Sequence, residues 1–140
     1  MWNTKIKNES LFYLPIRDPV NWMLTRLQDT TLVLHRSGNG GVAEMCSKLS
    51  SDDMVCGAFR VIINDKPTYF DLEFTGPCVS SQKKLKIGPF HRAAGRVFSC
   101  GSQGTVIVSG PRQFGVGMEA EILEKIVGIA GLQSAREIKK

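Results

Sequence analysis

The chain has 140 residues, of which 42% are apolar and 22% are charged, and its formal net charge is +5. This length suits a single domain over 1–140, and we predict a core at about 3–131 and a short basic C-terminal tail at 132–140. No apolar run approaches the roughly 20 residues that span a bilayer, and the mixed N-terminus lacks the apolar core of a signal peptide, so a cytoplasmic protein is predicted. The positive charge favours an acidic partner, such as a nucleic acid, an anionic membrane or an acidic protein.

The first half of the chain predicts a helix, a hairpin, a second helix and a long strand. The first helix is predicted over 3–14, where two prolines follow and end it. Strand-like runs at 20–27 and 31–35, separated by turn residues, predict the hairpin. A glycine-rich break then precedes a helix whose apolar residues are spaced by three and four: Val42, Met45, Cys46 and Leu49. The apolar, β-branched run Met54–Ile63 has the length of a central strand.

The second half predicts a half-buried strand, a long helix, a short strand and a final helix. In the strand, Phe70, Leu72 and Phe74 alternate with polar residues, so one face is predicted to be buried. The clearest helical stripe in the sequence follows, formed by Phe90, Ala93, Ala94, Val97 and Phe98. A strand at 105–108 and an amphipathic helix at 118–130 complete the pattern. Because this order is not a strict βαβ alternation, the sequence predicts an α+β domain with a mixed sheet covered by helices.

Two features of the first half invite a chemical interpretation, and a structural role explains each one better. The glycine-rich segment 38–41 lies between a strand and a helix, as a phosphate cradle does, but neither GK[ST] nor GxGxxG is present. A tight turn with positive φ is therefore favoured. His35 and His91 lie in no recognisable catalytic motif, so structural or solvated roles are favoured for both.

The acidic residues and the cysteines lack the spacing of a metal or catalytic site. Turn formation explains Asp52 and Asp53, whereas Asp71 and Glu73 share one strand face and are predicted to face solvent. No two cysteines form a CxxC pair, so reduced, partly buried thiols are predicted at Cys46, Cys56, Cys78 and Cys100. The sequence therefore predicts no metal site, no cofactor and no enzymatic activity.

The strongest candidate site is a cluster of five basic residues: Lys83, Lys84, Lys86, Arg92 and Arg96. Continuing the apolar stripe of 90–98 backwards places Lys83 and Lys86 on the buried side, where unpaired lysines are not tolerated. The helix must therefore project past the sheet or change phase at Gly88–Pro89, and in both cases the lysines lie on an exposed surface. We call Lys83, Lys84 and Lys86 the basic lip and predict that it binds a partner.

Several local motifs, taken in order, resemble the coactosin branch of the actin-depolymerising-factor homology (ADF-H) family, which includes cofilin. A first strand with Trp22 precedes a hairpin and the glycine-rich turn SGNGGVAEM. The segment SSDDMVCGAFRVII carries an Asp-Asp pair and a long strand, and the next strand ends in FTGPCVS. The basic stretch KKLKIGPFHRAAGRVF leads into the long helix, and the acidic helix MEAEILEKIVGIAG closes the domain. The similarity runs from about residue 20 to residue 131.

The resemblance implies a five-stranded mixed β-sheet sandwiched by helices. It also implies a monomeric, non-enzymatic protein of the cytoplasm and actin cytoskeleton that binds filamentous actin, with monomeric actin as a further partner. Basic positions of the family at the start of the long helix fall on Lys84 and Lys86, whereas Thr68 stands where the family has a lysine. The chain is therefore identified as a divergent member. The actin-binding residues that we predict are Lys66, Lys83, Lys84, Lys86, Arg92 and Arg96.

Two alternative functions remain open from the sequence. The first keeps the fold and changes the activity to cofilin-like binding of actin monomers and severing of filaments. The second is a small basic nucleic-acid-binding protein. The absence of aromatic residues interleaved with the basic cluster disfavours this second alternative, because such proteins stack bases on aromatic side chains.

Overall fold

The computed structural model describes residues 20–28, 31–98, 102–109 and 117–139, with the backbone alone at 95–98. The strands are β1 Trp22–Gln28, β2 Thr31–Gly38, β3 Met54–Ile63, β4 Lys66–Thr75, β5 Ser102–Ser109 and β6 Ile138–Lys139. The α-helices are α1 Gly41–Ser47, α2 Ser81–Lys84, α3 Ile87–Phe98 and α4 Met118–Ala130. The helix predicted at 3–14 lies outside the described residues, as does Cys100.

The strands form one mixed sheet in the order β2-β1-β3-β4-β5. Strands β4 and β5 are parallel and the other pairs are antiparallel. The longest pairing joins β3 to β4 over their full length, and Asn64 and Asp65 close this hairpin with positive φ angles of 53° and 63°. Such angles are typical of the tight turns that match the twist of a hairpin. The predicted mixed sheet of five strands is confirmed, and β6 adds a short sixth strand beside β3.

Helices cover both faces of the sheet and complete two apolar cores. Helices α1 and α4 pack on one face, whose buried side chains include Trp22, Phe59, Phe70, Ile122 and Ile126. Helix α3 packs on the other face, in a cluster that includes Met23, Cys56, Ala58, Phe90 and Ala94. Full burial of each large side chain stabilises the fold by about 1.5–3 kcal/mol. The predicted α+β sandwich of sheet and helices is therefore confirmed.

The end of the chain packs on the sheet. Helix α4 stops at Gly131, which has a left-handed φ of 69°, and the amide of Leu132 donates to the Val127 carbonyl at 3.0 Å. Beyond this cap, Ile138 pairs with Ile63 and is buried in the core. The core therefore extends past the predicted boundary at residue 131, because β1 pairs with only part of β3 and leaves room for β6. None of the described helices combines the length and the apolarity needed to cross a membrane.

Candidate functional site

The basic lip lies where the chain leaves β4 and enters two consecutive helices. Ser80 caps α2, because its Oγ accepts a hydrogen bond from the Lys83 amide at 3.1 Å. Helix α2 ends after four residues, and α3 begins at Ile87 after a turn at Leu85 and Lys86. Pro89 then lies in the first turn of α3, where backbone amides have no acceptor within the helix. The predicted change of phase is present, although it occurs before Gly88–Pro89.

A turn at Gly76 directs the chain from β4 towards the basic lip. The Gly76 amide donates to the Asp53 carbonyl at 2.8 Å, and the Cys78 amide donates to the Ser51 carbonyl at 2.8 Å. A Cβ atom on Gly76 would clash with the Ser51 carbonyl oxygen, so this close approach requires glycine. The turn therefore has a fixed position against the loop at 50–53.

The loop at 50–53 is itself closed by hydrogen bonds. The Ser50 amide donates to Asp53 Oδ2 at 2.9 Å, and Ser50 Oγ donates to Asp52 Oδ1 at 2.6 Å. The hydroxyl bond from Ser50 is the main cause of the lowered pKa of Asp52. The predicted turn role of Asp52 and Asp53 is confirmed, and the loop forms a rigid support for the lip.

All three lysines of the basic lip are exposed, and they differ in their contacts. Lys83 Nζ donates to the Asp52 carbonyl at 3.2 Å, which holds this side chain against the loop. The side chains of Lys84 and Lys86 make no hydrogen bond or ion pair with any described residue, and only their backbones bond within the helical turns. These two ammonium groups are therefore available to a partner without breaking an internal contact.

Leu85 is the feature of this surface that the sequence prediction missed. Its side chain is 82% exposed, the highest exposure among the large apolar residues that the structure describes as exposed. It lies between Lys84 and Lys86 in the sequence, so this exposed segment combines an apolar side chain with charged neighbours, a composition common in protein interfaces. The sequence did contain a signal of this exposure. When the apolar stripe of α3 is continued backwards, Leu85 falls outside it, and a leucine outside the stripe cannot join the core beneath that helix.

The remaining predicted site residues fall in three different places. Arg92 is exposed one turn into α3, and its Nη1 lies 3.6 Å from the position that a Cβ on Gly88 would occupy, so it flanks the lip. The Arg96 side chain lies outside the described residues. Lys66 lies at the end of β4 opposite the turn that leads to the lip, and the nine residue steps of β4 span about 30 Å. The structure therefore groups Arg92 with the basic lip and separates Lys66 from it.

Lys66 instead belongs to a second basic group at the β3–β4 turn. Lys139 on β6 reaches the same turn, where its Nζ lies 3.7 Å from Asp65 Oδ1. Both members of this ion pair are largely exposed, so the contact contributes little to stability. The hydroxyl of Thr68 donates to the Lys66 carbonyl at 3.1 Å and supports the start of β4. We call Lys66 and Lys139 the distal basic group.

The glycine-rich turn at 38–41 does not form a phosphate cradle. The Gly40 amide donates to Glu44 Oε1 at 2.8 Å, and the Gly41 amide donates to Asn21 Oδ1 at 3.0 Å. Glu44 also accepts a 2.7 Å bond from Trp22 Nε1, which is the main cause of its lowered pKa. Gly41 has a positive φ of 74°, so the predicted tight turn is confirmed. Its amides already have acceptors within the chain.

The acidic face of β4 is not in open solvent, and the prediction for Asp71 and Glu73 is wrong. Helix α3 packs over this side of the sheet, and His91 Nδ1 lies 3.5 Å from Glu73 Oε1. Burial raises the pKa of Asp71 to about 6, and its Oδ1 has no hydrogen-bond partner within the part of the chain that the structure describes. Among those same residues, no cluster of histidine, cysteine and acidic side chains could hold a metal ion.

The remaining titratable groups occupy unremarkable structural positions. His35 is half-buried on β2, and burial is the main cause of its lowered pKa. Cys46 and Cys56 are buried free thiols, and Cys78 is an exposed free thiol. Burial raises the pKa of Cys46 to about 12, so it carries no thiolate near neutral pH. None of these groups lies on the basic lip.

The fold is similar to solved structures of ADF-H proteins. Mouse coactosin, described as an actin filament binding protein, superposes with a TM-score of 0.67 at 15% identity, over 94% of each chain. Human coactosin-like protein gives a TM-score of 0.65 at 15% identity, over 91% of this chain and 87% of that chain. Cofilin from Streptomyces griseoflavus gives 0.68 at 10% identity, over 87% and 92%. The sequence matches no protein-family model and no curated protein sequence. The chain therefore has the ADF-H/cofilin fold with a divergent sequence.

Proposed function

We propose that this chain is a non-enzymatic actin-binding protein of coactosin type, acting on actin filaments in the cytoplasm. The observation that carries this proposal is the exposed Leu85 at the centre of the basic lip. Two further facts support it. Structures with this fold include a mouse protein described as an actin filament binding protein. The lip also lies at the start of the long helix, where the resemblance places the actin contact.

The chemistry of the lip fits an acidic protein surface with an apolar recess. Leu85 would lose its exposure on binding, and burial of such a side chain contributes about 1.5–3 kcal/mol. Lys84 and Lys86 would approach carboxylates at the rim of the interface, where salt screens their contribution. Because Lys83 is held by the Asp52 carbonyl and α2 is capped by Ser80, the backbone of this segment is ordered before binding, and the side chains of Lys84, Leu85 and Lys86 are what binding must order.

The position of the distal basic group favours a filament over a monomer. Lys66 lies at one end of β4, the chain leaves the other end of β4 for the lip, and the strand between spans about 30 Å and is paired with β3 over its whole length. Two basic surfaces at opposite ends of one sheet fit a partner with repeated subunits, because each surface can face a different subunit. Cofilin-like binding of a monomer would need the lip alone.

A nucleic-acid partner fits this surface less well. Phe90 is the aromatic residue closest to the lip in the sequence, and it is 1% exposed, so it cannot stack on a base. The exposed apolar residue of the lip is an aliphatic leucine, which favours a protein partner over a nucleic acid.

The test is co-sedimentation of the full chain with actin filaments. We expect the wild type to pellet, and we expect Lys84→Ala/Lys86→Ala and Leu85→Ala to pellet less. The matched control is Lys48→Ala/Lys125→Ala, which removes the same charge from two exposed lysines, one directly after α1 and one on α4. The proposed function is wrong if the wild type does not pellet, and the assignment of the site is wrong if the lip variants pellet like the control.

A further inference from the structure

From Thr105 to Ser109, the outer edge of β5 lacks the features that usually protect an edge strand. β5 is last in the strand order, so one side of its backbone has no strand partner among the described residues. Edge strands are commonly protected by charged side chains, prolines or bulges, because an open edge pairs readily with another chain. The segment 102–109 contains neither a charged residue nor a proline. Its one register irregularity lies before Thr105, so the strand from Thr105 to Ser109 is regular.

The opposite edge of the sheet is protected, which makes the contrast informative. Strand β2 carries Arg36, and its pairing with β1 is interrupted by a register shift between Leu24 and Thr25. Both features hinder the addition of a further strand. The sheet thus has one protected edge and one open edge.

A shallow pocket of about 350 Å³ lies beside the open edge and is lined by Thr105, Ile107, Lys125, Gly128 and Ile129. Val106 and Val108 alternate with the lining residues of β5 and are buried under α4. Thr105 and Ile107 therefore point to the opposite face of the sheet from α4. Because they line the same pocket as Gly128 and Ile129 of α4, the pocket lies along the free edge of β5. Ile107 is 54% exposed and Ile129 is 39% exposed, which makes the lining apolar and accessible.

Gly128 lines this pocket, and no contact with a described residue requires a glycine at that position. A Cβ on Gly128 would have no neighbour within 4 Å, and its backbone is helical, unlike that of Gly131 at the end of the helix. Glycine is a poor helix former, so alanine would stabilise this turn of α4. A larger side chain there would fill the space between Ile107 and Ile129. The glycine therefore leaves room in the pocket for a side chain from another molecule.

We infer that the β5 edge binds an extended peptide of a partner protein, which adds a strand to β5 and inserts one branched aliphatic side chain between Ile107 and Ile129. In strand addition, backbone hydrogen bonds supply affinity and pockets for alternate side chains supply specificity. Lys125 is the one charged residue among the described residues that line the pocket, and it favours an acidic residue next to the aliphatic anchor. Its 4.0 Å contact with Glu121 is an exposed pair on one helix, which such a residue displaces at little cost.

This site does not rest on the proposed function. It involves β5 and α4, whereas the basic lip is built from α2, the start of α3 and the loop at 50–53. The two sites can therefore be tested separately on the same full-length chain, and failure of one leaves the other unaffected.

The test is an NMR titration of the full chain with a defined peptide. The probe is a capped nine-residue peptide of alternating threonine and isoleucine with a glutamate at each end. We expect shifts at the amides of 105–109 and Gly128, and binding at least tenfold weaker to Gly128→Leu, which corresponds to about 1.4 kcal/mol. Ile107→Lys should weaken binding similarly, because it places a charge on the edge. Ala130→Leu, at an exposed position of the same helix, should bind like the wild type.

Five results would overturn the inference. The wild type does not bind the peptide, or Gly128→Leu binds it equally well. A peptide N-methylated at alternate amides binds as tightly, which would exclude backbone pairing. A concentration-dependent dimer that Ile107→Lys abolishes would assign the edge to a second copy of the chain. Finally, slow hydrogen exchange at every β5 amide in the free, dilute protein would show that the chain covers its own edge.

Discussion

Leu85→Ala separates the apolar contribution of the basic lip from its charge. The side chain is 82% exposed, so its truncation removes no packing from the folded protein, and we expect stability to change by less than about 0.5 kcal/mol. Burial of a leucine side chain in an interface contributes about 1.5–3 kcal/mol. Because each 1.4 kcal/mol is tenfold in affinity, truncation should weaken filament binding by about 10-fold to 100-fold.

Salt distinguishes this effect from that of the neighbouring lysines. Lys84 and Lys86 are exposed, and the Debye length falls from roughly 10 Å at 0.1 M salt to roughly 3 Å at 1 M. The defect of Lys84→Ala/Lys86→Ala relative to the wild type should therefore shrink as salt rises. The defect of Leu85→Ala should persist, because apolar burial is not screened.

The assay is co-sedimentation with filaments over a series of salt concentrations, with the Kd fitted at each one. Unfolding in urea serves as the control for stability. If Leu85→Ala binds like the wild type at every concentration while the double lysine variant fails, the lip acts by charge alone. The reasoning about an apolar centre would then be wrong. A defect of Leu85→Ala that shrinks with salt would also contradict it.

Three further predictions concern the support of the lip, the face of the sheet beneath α3 and the distal basic group. Gly76→Ala should destabilise the fold by about 1–3 kcal/mol in urea unfolding, because its Cβ would clash with the Ser51 carbonyl, whereas Gly128→Ala should be neutral or stabilising. Asp71→Asn should be more stable than the wild type by roughly 1–2 kcal/mol at pH 8, after allowance for partial exposure, and the gain should shrink towards pH 4. Lys66→Ala/Lys139→Ala should weaken filament binding, measured by co-sedimentation, and leave binding to monomeric actin unchanged, measured in a monomer-binding assay.

The sign of the Asp71 prediction follows from its raised pKa. The folded state holds this carboxyl at a pKa of about 6, against an ordinary value of 3.8, so the folded state binds the proton more tightly than the unfolded state does. The cost of ionisation is absent below pH 3.8, grows between 3.8 and 6, and is complete above 6. Asparagine carries no charge at any of these pH values. An equal difference between the two proteins at pH 4 and pH 8 would contradict this account.

The elements that could be predicted from the sequence are those with a long, regular pattern. Met54–Ile63 and the helix at 118–130 have the predicted bounds, because ten or more residues with one period leave little ambiguity. The exposure of the basic lip was also predictable, since the phase of α3 and the cost of burying lysine exclude any other placement. These predictions depended on local periodicity and on single-residue energetics alone.

The features that could not be predicted depend on contacts between distant segments. The prediction for Asp71 was wrong because the strand pattern does not show that α3 covers its face. The role of Ile138 depends on β1 leaving the end of β3 unpaired, and a two-residue strand has no detectable period. The separation of Lys66 from the lip is an exception, because it follows from the β3–β4 pairing. That pairing could have been predicted from the two strand lengths and the short turn between them.

The break between α2 and α3 explains why the lip is both exposed and ordered. A single helix through 81–98 would turn Lys83 and Lys86 towards the sheet, so the chain ends α2 after four residues and begins again at Ile87. Leu85 lies at this break, and three contacts hold the segment in place: the cap by Ser80, the bond from Lys83 to the loop, and the glycine turn against Ser51. Order in the free protein reduces the entropy lost on binding, so a small surface can bind with useful affinity.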